Sequence, residues 1–119
     1  MFFAARVFIA ASFGVAVHLA FITILAGGQF GAGFEFIREL VIRYTIAAVF
    51  TLSISWRFPV FINGLIVGVL MAMHMAFVVL TFQGAWSFFQ RALITNSVGG
   101  LGMAAGAALA VLLLGNDRD

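Results

Sequence analysis

Residues 36–56 read FIRELVIRYTIAAVFTLSISW, and whether this stretch crosses a membrane decides the fold. A helix needs roughly 20 apolar residues to cross about 30 Å of hydrocarbon. Tyr44 to Trp56 supplies thirteen mostly apolar residues, which is short. Extending back to Phe36 gives the length but brings in Arg38, Glu39 and Arg43. Helical spacing accommodates those charges: Glu35 with Arg38 is an i,i+3 pair and Glu39 with Arg43 an i,i+4 pair, each with the acid N-terminal. Arginine stems near a helix end also snorkel to the headgroups. The rival reading is an amphipathic helix lying in the interface.

The surrounding chain is easier to read. Apolar runs from about Ala4 to Gly27, Phe58 to Phe82 and Ala92 to Leu114 are each long enough to span. Pro59 is expected in the first turn of its helix, where its missing N–H breaks nothing. The N-terminal run is read as a membrane helix and not a signal peptide, because Val7 to Leu25 exceeds the usual h-region and no A-x-A-like site follows. Gly27, Gly28, Gly31 and Gly33 form a loop, and Asn116 to Asp119 a polar tail.

Composition points the same way. The chain is 65% hydrophobic, 8% charged, and has a mean hydropathy of +1.22. A soluble domain carries roughly a quarter of its residues as charges, so this surface must face lipid. There is no cysteine, which excludes disulfides and thiolate metal sites. All six basic residues are arginines scattered singly, so no nucleic-acid partner is expected.

An internal duplication argues for the doubtful span. At an offset of 56, His-Leu-Ala-Phe at 18–21 falls on His-Met-Ala-Phe at 74–77, Phe2 on Phe58, Ala16 on Ala72 and Gly28 on Gly84. Beyond the glycines, removing four loop residues sets Phe36 on Phe88 and Ile42 on Ile94. The expected fold is therefore all-α and integral to a membrane, with four transmembrane helices as two duplicated helical hairpins. Residues 1–119 form a single membrane domain, with repeat 1 about 1–56 and repeat 2 about 57–114. An even number of spans per repeat makes the copies parallel, related by an axis along the membrane normal. The expected location is a bacterial inner membrane. Orientation stays open: Arg6, Arg57 and Arg118 fall on one side and Arg38, Arg43 and Arg91 on the other. That balance fits dual topology, or an orientation fixed by a partner or by translation order.

His18 and His74 are the candidate cofactor ligands, since an ionisable residue inside a span is costly and marks a site by default. Facing each other, two imidazoles grip haem b; singly, each suits a chlorophyll-type pigment or a proton relay. Interhelical hydrogen bonding explains them as well. Met71, His74 and Met75 share a helix face and form a weaker candidate for copper(I). Gly64 and Gly68 have GxxxG spacing, and Gly99, Gly102, Gly106 and Ala110 give the last helix a small-residue face for a helix within the chain or from a partner. Ser53, Ser55, Asn63, Thr81, Thr95, Asn96 and Ser97 are scattered polar groups that suit a pore or packing equally. Trp56 and Trp86 read as interfacial belt residues. No catalytic constellation is evident, so no enzyme activity is expected. The leading expectation is a non-enzymatic accessory, assembly or regulatory subunit, or a homo-oligomer. A haem-binding cytochrome-like protein and a small channel or transporter are the alternatives.

Overall fold

The computed structural model describes residues 2–25, 33–54, 59–83 and 86–115 as an all-helical chain. The helices are α1 (Phe3–Leu25), α2 (Phe34–Ser53), α3 (Val60–Gln83) and α4 (Trp86–Leu114). There is no strand among the described residues. Three segments, Phe3–Leu25, Val60–Val78 and Phe89–Leu114, are long and apolar enough to cross a membrane. α2 has twenty residues, but Glu35, Arg38, Glu39 and Arg43 set it apart from those three in character. The glycines at 27, 28 and 31, Ser55, Trp56, Arg57 and the tail from Asn116 lie outside the described residues. The Trp86 side chain does too.

Helix ends differ from the sequence reading for local reasons. α4 begins at Trp86, six residues before the expected Ala92; Gln90 and Arg91 continue the helix because polar residues are tolerated at a membrane helix end. Pro59 precedes α3 instead of sitting in its first turn. Its carbonyl accepts from the Asn63 N–H at 3.0 Å, a role that needs no N–H of its own. α4 stops at Gly115, whose φ of 78° is the left-handed C-terminal cap favoured by glycine. The Gly115 N–H closes that cap on the Val111 carbonyl at 2.8 Å.

The bundle measures 45 × 26 × 20 Å, and its long axis matches the roughly 40–45 Å of a bilayer with its headgroup regions. α4 packs along both α1 and α3, while α2 leans mainly on α1 and touches α3 and α4 less. Close backbone approach holds this arrangement together, since lipid tails give apolar side chains no incentive to leave them. A Cβ on Gly68 would stand 2.8 Å from the Cα of Gly100, and one on Gly64 would stand 2.7 Å from the Cα of Ala104. Across the other interface, Gly102 faces Val17, and Gly106 faces Phe13 and Ala10. Ala10, Ala48, Ala72, Ala76, Ala104, Ala107 and Ala110 are fully buried. The core is built from small residues that let four backbones converge.

Arg6 is not an exposed positive flank. It is 2% exposed and donates from Nη1 to the Gly115 carbonyl at 3.0 Å. This links the first helix to the last at a helix C-terminus, where a cation is favoured.

Candidate functional site

Polar groups gather at one level of the bundle, toward the end holding the α1 C-terminus and the α2 N-terminus. At 1.5 Å per residue, Arg43 and Tyr44 lie about 14–15 Å from the start of α2, Asn96 about 15 Å into α4, and His74 about 14 Å from the end of α3. His18 lies about 10 Å from the end of α1.

Arg43 and Tyr44 are neighbours on α2, so their side chains leave the helix about 100° apart. Tyr44 turns into the interior, where its hydroxyl meets His18 Nδ1 at 2.7 Å. Both residues are buried. Their rings meet edge-on with centroids 5.6 Å apart, and Phe36 stands 6.3 Å from the imidazole. Gly99 of α4 makes this pair fit: a Cβ there would collide with the Tyr44 hydroxyl and stand 3.1 Å from His18 Nδ1. A hydrogen bond between buried polar groups removes the cost of leaving either unpaired in hydrocarbon.

Arg43 turns the other way. Nη1 donates to Asn96 Oδ1 at 2.7 Å, and Asn96 is oriented by its own Nδ2, which donates to the Ala92 carbonyl at 2.8 Å. Nη2 stands 3.9 Å from Glu39 Oε1, beyond hydrogen-bond reach. The arginine side chain is 16% exposed and that of Glu39 is 68% exposed. The guanidinium is thus largely buried against a neutral amide, with its nearest carboxylate one turn away and mostly outside the bundle.

Arg43 also lines a groove between α2 and α3 of about 500 Å³. Ile46, Phe50 and Ile54 line it from α2, and Val67, Leu70 and Met71 from α3. Arg43 and His74 stand together at one end, because the two helices run antiparallel and these are the last lining residues on each in that direction. The remaining wall is apolar.

The two histidines therefore have different surroundings. His18 is 3% exposed and paired with Tyr44; His74 is exposed and lines a groove to which His18 does not contribute. Met71 shares the groove with His74, while Met73 is exposed and Met75 half-buried. Among the described residues, no three His, Cys, Asp or Glu side chains cluster as a metal site. Gly64, Gly68, Gly99, Gly102 and Gly106 all face helices of this chain. Thr23, Thr51 and Thr81 each donate to the carbonyl four residues back, at 2.8 Å, which satisfies their hydroxyls locally. Thr95 is buried, and Asn63 is buried with neither amide atom hydrogen-bonded among the described residues.

Sequence reasoning missed the Arg43–Asn96 pair and the Tyr44–His18 pair. Spacing alone pairs Arg43 with Glu39. The usable signal was position: Arg43 lies beyond the charged first turns of α2, among apolar residues. No protein-family model, no curated protein and no solved structure matches this chain.

Proposed function

We propose that the protein is a non-enzymatic membrane-embedded binding protein whose α2–α3 groove takes up a single-chain amphiphile from the bilayer. The observation that carries this is Arg43, whose largely buried side chain lines the polar end of an otherwise apolar groove. A cation inside a membrane is costly and faces a cavity, a partner or a functional ligand. The volume falls within the range of small-molecule sites, roughly 300–1,000 Å³. The lining runs from Arg43 to Ile54, about 16 Å at 1.5 Å per residue. One extended hydrocarbon chain can lie along that length, and the groove is open on its outer side, where Ile46, Phe50 and Leu70 are exposed.

This reading takes α2 as a fourth span. Its support is the helix length, about 30 Å, and the placement of Glu35, Arg38 and Glu39 in the first two turns, within reach of the headgroups. The deep charge, Arg43, has Asn96 to hold it. We also take the chain as two copies of one hairpin, supported by helix starts: the offset of 52 that aligns the second halves sets Phe34 on Trp86. The small residues that motivated a partner helix are occupied inside the bundle, so ligand binding and not subunit docking is the reading the geometry favours.

Photolabelling tests it. A sixteen-carbon amphiphile carrying a terminal diazirine, added to the protein in phosphatidylcholine nanodiscs, should label α2 between Ile46 and Ile54 and α3 between Val67 and Leu70. Leu70→Trp fills the groove and should remove that labelling. Equal labelling of lipid-facing sites such as Phe8 and Leu112, unchanged by Leu70→Trp, would overturn the proposal.

A further inference from the structure

We infer that the amphiphile's head is a carboxylate, held by Arg43 and His74, and that Glu39 is the resident counter-ion it displaces. This rests on the groove reading above and names the ligand class for the same site.

Arg43 meets a neutral acceptor, Asn96 Oδ1 at 2.7 Å, on one guanidinium nitrogen. On the other, Glu39 stands at 3.9 Å with its carboxylate mostly outside the bundle. An ion pair at that separation, with one member 68% exposed, holds a buried charge weakly. A neutral head would leave the balance as it is. A carboxylate brings one negative charge to one positive charge and matches the planar guanidinium fork with two oxygens. A phosphate head would carry more charge and more hydration to a level about 14 Å below the helix start, where desolvation is costly. His74 stands at the same end of the groove and can offer a ring N–H to the second oxygen.

Glu39 sits one turn closer to the start of α2 than Arg43. An acid arriving through the groove competes with it for the same Nη2. Removing the Glu39 charge therefore strengthens binding of an acid and leaves a neutral chain unaffected, an outcome opposite to that of losing a structural salt bridge.

The test is competition against the photoprobe in phosphatidylcholine nanodiscs at alkaline pH, using hexadecanoate and hexadecanol as matched chains. Hexadecanoate should displace the probe at least about thirtyfold better than hexadecanol, the effect of pairing a buried charge. Glu39→Gln should improve hexadecanoate about two- to fivefold, the scale of an exposed ion pair, with no change for hexadecanol. Arg43→Met should abolish the discrimination. If hexadecanol competes as well as hexadecanoate, while Leu70→Trp blocks both, the groove reading stands and the carboxylate inference is overturned. If Glu39→Gln weakens hexadecanoate, Glu39 is not a competitor and the counter-ion role is overturned. If neither chain competes and Leu70→Trp changes nothing, the groove reading itself falls. The alcohol and the Glu39 variant keep the test decisive even where Arg43→Met fails to fold.

Discussion

Replacing Gly99 by alanine inserts one methyl group where three helices meet. The added Cβ overlaps the Tyr44 hydroxyl, lies 2.7 Å from Tyr44 Cζ and 3.1 Å from His18 Nδ1. The tyrosine ring cannot yield along its own axis, because Tyr44 is fully buried and its ring also packs against Gly14. Either α2 moves away from α1 and α4, or the hydroxyl leaves His18. Overpacking of a close-fitted core costs about 1–3 kcal/mol, and a buried imidazole without a partner costs about 1–3 kcal/mol more. We expect Gly99→Ala to destabilise the bundle by about 2–6 kcal/mol in total. Tyr44→Phe alone loses the hydrogen bond and should cost about 1–3 kcal/mol. The double variant should cost less than the sum by about 1–2 kcal/mol, since phenylalanine lacks the oxygen that the new methyl strikes and the hydrogen bond can be lost only once. The assay is reversible unfolding by sodium dodecyl sulfate in mixed micelles, followed by helical circular dichroism. Tyr44 is the single tyrosine in the chain, so the NMR signal of a labelled ring reports the local shift directly. A Gly99→Ala protein within about 0.5 kcal/mol of the parent, or strict additivity in the double variant, would refute this account of the junction.

Gly68→Ala should weaken α3–α4 packing by about 1–3 kcal/mol in the same assay, because the methyl meets the Gly100 backbone and not a movable side chain. Gly33→Ala, with nothing within 4 Å of its Cβ position, should be neutral or slightly stabilising. Arg6→Met removes the donor to the Gly115 carbonyl; hydrogen exchange of the last α4 turn should accelerate, and unchanged exchange there would show that the contact does not hold the helix end. Asn63→Val replaces a buried amide that has no hydrogen-bond partner among the described residues and should be neutral or stabilising by about 1 kcal/mol. A loss of more than that would reveal a hydrogen-bond partner for the amide.

Three apolar spans were legible because hydrophobic length is a one-dimensional property: no partner is needed to know that Val60 to Val78 prefers lipid to water. The α2 stretch was legible as a helix, because its charges fall at helical spacing. Gly64, Gly68, Gly99, Gly102 and Gly106 were legible as close-approach positions from spacing alone, since a missing side chain means the same thing whatever lies opposite.

What lies opposite was decided only by the tertiary structure. His18 and His74 share a tetrad and a register in the sequence, yet one is buried against Tyr44 and the other faces the α2–α3 groove. The cause is the position of each helix in the bundle: α1 packs against both α4 and α2, while α3 meets α4 closely and α2 only loosely. Arg43 likewise carries its i,i+4 acid in the sequence, but the fold brings Asn96 of α4 within 2.7 Å, from 53 positions along the chain. Hydropathy and spacing fix which residues leave water and which can approach closely. Which of them meet, and so which charge remains under-compensated at the end of a groove, depends on how four helices divide their faces among one another.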